Sequence, residues 1–274
     1  MPSAVTEIAC FAQNPDRSAA CQEAVWPRLD GETVETSRGN FVGEYPPVFY
    51  AVMRVFVTDD VQVSGLIMRA INAALFVGLA TALAVLLPAS RRRTLLWAWL
   101  TTLVPLGMFL IASNNPSGWA ITGVGTAFLA LLGWFESQGR RRWFLAALYL
   151  VGVLMAAGAR GDGAVYVTGA TIAVVILTVS RTRHWALSAI VPIVGVALAV
   201  ILFSTSGQTG VASTGFGGAG AGAADTADIS GFSLAAYNLL MLPFLWTGVW
   251  GTWGLGWLDT QLPAIVPWSA AAAF

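Results

Sequence analysis

The chain has 274 residues, of which 57% are hydrophobic and only 10% are charged, and its mean hydropathy is +0.71. Soluble domains carry about 25% charged residues, so this chain has too few charges to cover a water-facing surface, and a soluble globular enzyme is excluded. The formal net charge is zero, which disfavours a nucleic-acid-binding protein because no basic face is available for phosphates. The composition predicts a protein embedded in the lipid bilayer.

Residues 1–63 form a polar segment with a net charge of −5. Both cysteines, Cys10 and Cys21, lie in it, and in a loop outside the cytoplasm they can form a local disulfide. The alternative is two unrelated thiols. At the end of this segment, apolar and aromatic residues at helical spacing follow Pro47, which predicts a short amphipathic helix on the outer surface of the membrane.

One acidic residue of this segment is a candidate catalytic group. Glu44 precedes the predicted surface helix, which would hold its carboxylate beside the membrane, where it can act as a general base. The alternative is an acid exposed in a turn.

Six apolar runs follow, each of about 17–23 residues, the length that a helix needs to cross the hydrocarbon core. They are residues 65–87, 95–113, 119–135, 143–159, 163–180 and 185–204. Backbone groups in lipid must be satisfied within the segment, so each run predicts a helix. The expected fold is therefore all-α and polytopic, with a bundle of six transmembrane helices over residues 64–205.

Arginine clusters follow the first, third and fifth runs, and they predict the orientation of the bundle. The clusters are Arg91 to Arg93, Arg140 to Arg142, and Arg181 with Arg183. Successive helices alternate in direction, so all three clusters lie on one side, which the positive-inside rule assigns to the cytoplasm. Residues 1–63 and 206–260 are then extracytoplasmic parts of a multi-pass plasma-membrane protein.

The C-terminal part is less regular. Residues 207–224 are rich in Gly and predict a flexible loop. Residues 232–257 carry no charge, but Pro243 and four Gly interrupt them, which predicts an interfacial or re-entrant outer helix, with a seventh span as the alternative. Residues 261–274 resemble the start of a further span that is too short to cross. Because no signal peptide precedes the acidic segment, we expect a fragment truncated at both ends.

Polar residues beside the spans are candidates for ligand binding because they are costly in lipid. Arg69 can bind an anionic group such as a lipid phosphate; alternatively, it snorkels to the interface or pairs with Asp59 or Asp60. Asn115 and Ser117 can contact a polar ligand or cap the third helix. Arg160 and Asp162 can pair with each other or offer a cation and a carboxylate to a substrate. With one His and no Cys-x-x-Cys, no metal site is predicted.

Several motifs occur together along nearly the whole chain. They are Cys10-Phe11 to Cys21, Tyr45-Pro46-Pro47-Val48-Phe49-Tyr50, Met68-Arg69, Asn115-Pro116-Ser117-Gly118, and Gly256-Trp257-Leu258-Asp259-Thr260-Gln261-Leu262-Pro263. As a set, they resemble the bacterial integral membrane family called domain of unknown function 2142, which is most abundant in actinobacteria. That family is similar to the GT-C glycosyltransferases, which have many membrane helices and a large first outer loop.

The resemblance implies transfer of a sugar from a polyprenyl-phosphate carrier, in the bilayer, to an acceptor on the outer face during assembly of cell-envelope glycans. Some GT-C enzymes also use a divalent metal. The family begins with an additional helix and an acidic motif, Asp-Glu-Pro followed by a His, and both are missing here. Glu44 or Asp60 would then replace the catalytic carboxylate. The implied substrate-binding residues are Arg69, Asn115, Arg160, Asp162 and Asp259.

Two other classes of function remain as alternatives to the glycosyltransferase. One is a membrane transporter or lipid flippase, which would need charged residues at mid-membrane, whereas the charges here lie at the ends of the runs. The other is a non-catalytic protein of the cell envelope.

Overall fold

The structure is a computed structural model of the chain, and it describes residues 3–12, 14, 16–29, 33–35, 43, 45–207, 231–252, 255 and 262–273. These residues form helices and turns and include no strand. The chain divides into two compact units. The first comprises residues 1–39, 103–109 and 219–274, and the second comprises residues 40–102 and 110–218.

Five helices of the second unit are long and apolar enough to cross a membrane. They are α2 (Val61–Leu86), α5 (Pro116–Glu136), α6 (Gly139–Ala159), α7 (Gly161–Thr178) and the span Arg183–Ser204, which consists of α8 (Arg183–Ser188) and α9 (Ile190–Ser204). A sixth span is counted if α3 (Ala89–Thr102) and α4 (Pro105–Ile111) are taken together. The predicted all-α polytopic membrane fold is confirmed.

The second apolar run is sharply bent, by 101° between α3 and α4. It breaks between Thr102 and Pro105, because proline has no N–H to donate, and its ring disfavours a helical conformation at the preceding residue, Val104. The hydroxyls of Thr101 and Thr102 donate to the carbonyls of Trp97 and Ala98 in the last turn of α3. The proline therefore ends the helix in the middle of an otherwise apolar run.

The core of the second unit is the antiparallel pair α5 and α6, with α7 and α9 packed against it. The two helices approach closely at Gly123 and Gly152. A Cβ added at Gly152 would lie 2.7 Å from the carbonyl oxygen of Gly123 and 2.8 Å from the backbone nitrogen of Ala127. Only glycine permits this backbone contact, which resembles the small-residue packing of membrane helices.

A short helix, α1 (Val48–Arg54), packs against one end of this core. Phe49 and Met53 are buried, and the ring of Phe49 meets Trp119 edge to face at 5.3 Å. The side chain of Val48 occupies the space above Gly158, where a Cβ would lie 2.6 Å from it. The apolar face of α1 is therefore covered by other helices of the chain.

The first unit contains the chain termini. The N-terminal part contains three 3₁₀ helices, Ser3–Glu7, Ala19–Ala24 and Trp26–Arg28. A disulfide joins Cys10, which follows the first helix, to Cys21 in the second. Towards the C-terminus, α10 (Gly231–Thr247) contains Pro243 and continues into a π-helical turn, Gly248–Thr252. The last helix is α11 (Ile265–Ala273). None of these helices is among the candidate spans found in the described ranges.

Candidate functional site

A cavity of about 420 Å³ lies in the second unit between α3, α5 and α7. Its volume falls in the range of small-molecule sites. The lining residues are Trp99, Thr102, Ser117, Ala120, Ile121, Val124, Gly125, Arg160, Asp162 and Tyr166. Most of the wall is apolar, and the charged side chains belong to the α6–α7 turn and the start of α7. The cavity is therefore amphiphilic.

Arg160, Asp162 and Ser117 form the polar part of the cavity. The Nε and Nη2 atoms of Arg160 donate to Oδ1 and Oδ2 of Asp162, each at 2.8 Å, which is a bidentate ion pair. The Nη1 atom of Arg160 donates to the hydroxyl of Ser117 at 3.1 Å. The structure thus brings together two of the predicted outer turns through a single guanidinium group.

Local sequence explains why these three side chains meet. Asn115 caps α5, since its side-chain oxygen accepts from the backbone N–H of Ser117 at 2.9 Å, and Pro116 suits the first helical position. Arg160 has extended backbone and ends α6 directly before α7, and Asp162 lies in the first turn of α7, where a negative charge is favourable. The polar groups are therefore fixed at adjacent helix termini.

The positive charge of Arg160 is paired with the negative charge of Asp162. The hydrogen bond with Asp162 raises the pKa of Arg160 above its ordinary value, and the neighbouring phenols of Tyr45 and Tyr166 act in the same direction. Burial, reinforced by Tyr45, raises the pKa of Tyr50 in α1. The three recorded bonds of Arg160 use three of its five N–H groups, so two remain for an anionic ligand.

The other predicted site residues lie elsewhere or have local partners. Asp60 caps α2 by accepting from the backbone N–H of Val63. The Nε of Arg69 donates to the carbonyl of Ala112 at 3.2 Å. Glu44 and Asp259 lie outside the described residues, as does most of the Gly-rich loop 207–224. Of the predicted site residues that the structure describes, Arg160, Asp162 and the neighbouring Ser117 line the cavity.

The sequence did not predict the buried hydrogen bonds that join α2 to α5 through Asn72. It also did not predict most of the residues that line the cavity. Asn72 is buried in α2, accepts from the indole N–H of Trp119 at 2.9 Å, and donates to the carbonyl of Ser113 at 2.8 Å. An amide within an apolar run was the available signal. The indole of Trp99 lies against Gly125, where a Cβ would be 2.5 Å from its ring, and no pattern in the sequence marks that contact.

Among the residues that the structure describes, no group of three or more His, Cys, Asp or Glu side chains is placed to hold a metal ion. The cluster of Arg160, Asp162 and Ser117 offers a cation, a carboxylate and a hydroxyl as its reactive groups.

Comparison with known proteins gives one informative match. No curated protein and no solved structure matches the chain. The family model described as predicted membrane protein (DUF2142) matches residues 2–274, and this protein therefore belongs to the DUF2142 family of membrane proteins.

Proposed function

We propose that this chain takes part in transferring a sugar from a polyprenyl-phosphate carrier to an acceptor at the extracytoplasmic face, in assembly of cell-envelope glycans. The observation that carries the proposal is the amphiphilic cavity, whose apolar wall ends at the Arg160–Asp162 pair. A lipid-linked sugar phosphate has the same division into an apolar chain and an anionic head.

Arg160 is suited to the phosphate of the carrier. Its planar guanidinium binds phosphate oxygens in pairs and stays charged at all physiological pH values. Asp162 and Ser117 hold it at the cavity before any ligand arrives. A fixed donor that needs no reorganisation is the arrangement that stabilises charge developing on a leaving group.

Among the described residues, Asp162 is the carboxylate next to Arg160. In the proposed step, phosphate oxygens bind the two N–H groups of Arg160 that Asp162 and Ser117 leave unused, which weakens the ion pair and allows the Asp162 carboxylate to accept a proton. The acceptor hydroxyl then gives its proton to Asp162, its oxygen bonds to the anomeric carbon, and the bond from that carbon to the phosphate oxygen breaks. The carrier phosphate leaves with the electron pair and is stabilised by Arg160.

The distribution of arginines supports an extracytoplasmic site. Arg160 lies at the α6–α7 turn, whereas Arg91 to Arg93, Arg140 to Arg142, Arg181 and Arg183 lie at the opposite helix ends. The positive-inside rule assigns the latter end to the cytoplasm. A transporter is supported less well, since the buried polar residues in the described part of the chain are uncharged.

Membranes containing the full chain should be labelled by a photoreactive polyprenyl-phosphate analogue. The Arg160→Gln variant should lose at least about tenfold in labelling, because a charge-assisted hydrogen bond contributes about 1.5–3 kcal/mol. Arg91→Gln is the matched control, since Arg91 also pairs with a carboxylate, that of Glu136, but does not line the cavity. It should be labelled like the unmodified chain.

Transfer of radiolabelled sugar from the same carriers tests the chemical step. Asp162→Asn should retain labelling and lose transfer, because the amide cannot accept the proton. Equal labelling of the Arg160 and Arg91 variants, or the absence of transfer with every carrier tried, would show that the cavity serves another purpose.

A further inference from the structure

Three arginines of the described residues pair with a carboxylate, and Arg142 differs from them. Arg28, Arg91 and Arg160 each form an ion pair with a carboxylate. Arg142 has no ion-pair partner among the described residues and is held by uncharged groups. Its charge is therefore fixed in position and is not neutralised by a carboxylate of the described residues.

Contacts with α5 and α8 define the position of Arg142. Its guanidinium carbon lies 3.7 Å from the centroid of the Trp134 ring, a cation–π contact. Its Nη2 donates to the hydroxyl of Ser188, and its Nη1 lies 3.1 Å from Nε2 of His184. The indole N–H of Trp134 donates to the carbonyl of Ser188 at 3.0 Å, so the platform beneath the guanidinium is itself fixed.

The surroundings of Arg142 are strongly basic. We call the helix ends that carry Arg91 to Arg93, Arg140 to Arg142, Arg181 and Arg183 the arginine-rich end. Glu136 is the acidic residue at this end, and Arg91 already binds it with Nη2–Oε1 at 2.5 Å. Arg141 donates to the carbonyls of Leu86 and Leu87 at the end of α2. No carboxylate in the described part of the chain is therefore left for Arg142.

We propose that Arg142, together with His184, binds a phosphate group, supplied either by the headgroup of an anionic phospholipid or by free phosphate. The guanidinium is half-buried, so it has lost part of its hydration without gaining a counterion, and an anion restores the balance. The contacts of Arg142 with Ser188 and His184 leave one N–H on each Nη atom. The Nε is enclosed and out of reach of a ligand, so the phosphate binds to the Nη1 and Nη2 edge of the guanidinium.

The neighbouring groups suit the membrane interface. Trp143 is exposed and meets Trp134 at 5.2 Å, while Trp185 stacks on Phe135. Tryptophan is enriched at the level of lipid headgroups, and basic pockets between membrane helices bind anionic headgroups. This site is separate from the Arg160 cavity and does not depend on the function proposed for it.

The full chain, purified in an uncharged detergent, is titrated with short-chain phosphatidylglycerol, short-chain phosphatidylcholine or inorganic phosphate by calorimetry. At about 0.15 M salt, exposed charges more than about 8 Å away are screened. Arg142→Gln should weaken binding about tenfold, as loss of a charge-assisted hydrogen bond predicts. Arg93→Gln removes the same charge from an exposed position, and binding should stay within about twofold of the unmodified chain.

A second variant retains the arginine. His184→Asp places a carboxylate beside Arg142, as Glu136 lies beside Arg91, and it should weaken binding as much as Arg142→Gln. Arg142-dependent binding of phosphatidylglycerol alone identifies a lipid headgroup site, and equal binding of inorganic phosphate identifies a free phosphate site. The proposal is overturned if Arg142→Gln binds every probe like the unmodified chain, or if Arg93→Gln loses as much as Arg142→Gln.

Discussion

The central helices and the peripheral helices of the second unit are held by different forces. In α5, 67% of the 18-residue apolar stretch that could span the membrane is buried within the protein, whereas in α2 the buried share is 17%. α5 and α6 meet backbone to backbone at Gly123 and Gly152. By contrast, α2 and α3 present most of their apolar surface outward and are joined to the core by a few specific contacts.

This difference matters for the candidate site. One wall of the cavity belongs to α5 and α7, which are part of the tightly packed core, and the other belongs to α3. Lipid is as apolar as the side chains that face it, so peripheral helices gain little from the hydrophobic effect and rely on packing and polar contacts. The charged cluster is therefore fixed by the core, and the apolar wall opposite is held by weaker contacts.

The strongest test of the comparison is a glycine substitution in each region. Gly152→Leu should lower the free energy of unfolding by about 3 kcal/mol, because the new side chain must separate two backbones. Gly78→Leu in α2 should change it by no more than about 0.5 kcal/mol, since no atom lies within 4 Å of a Cβ there. Unfolding in detergent mixtures measures both. Equal losses would contradict the distinction between core and periphery.

Removing the polar link between α2 and α5 should cause the next largest loss of stability. Asn72→Ala leaves the buried indole N–H of Trp119 without an acceptor, so stability should fall by about 2 kcal/mol. The control is Ser204→Ala, whose hydroxyl bonds only to the Val200 carbonyl in its own helix and whose loss should be negligible. Unchanged unfolding of the Asn72 variant would mean that packing alone holds α2.

The ion pair between α3 and α5 should contribute less. Arg91→Gln removes the bond to Glu136, but both side chains are about one-third exposed, so the loss should be about 0.5 kcal/mol. It should vanish at about 1 M salt, where the Debye length is about 3 Å. A loss that persists at high salt would indicate that α3 belongs to the rigid core.

The smallest effect concerns α1, which packs on the end of the core. Burial raises the pKa of Tyr50 above 10.0, so above pH 10 the unfolded chain loses this proton while the folded chain retains it. Stability should therefore fall as the pH rises through this range, and Tyr50→Phe should reduce that fall. Identical alkaline profiles for the two proteins would place Tyr50 outside the packed interface.

Much of the fold could be predicted because the bilayer imposes strict rules on the chain. An apolar run of about 20 residues must become a helix in lipid, and Pro105 explains the sharp bend in the second run. Ser117, Arg160 and Asp162 could be selected as polar residues at helix ends. The contact of Trp99 with Gly125 and the link through Asn72 could not be predicted, because they join residues tens of positions apart with no shared pattern.

The amino-acid sequence alone determined the class of this protein, its apolar segments, and the contrast between its acidic first 63 residues and the arginine clusters that follow, because each depends on composition and order along the chain. The tertiary structure decided which polar residues act together. Arg160 meets Ser117 across 43 positions and lines a cavity, while Arg69 binds a backbone carbonyl. Within the described part of the chain, it also left Arg142 without a carboxylate partner, since the partner of a charge depends on how helices pack.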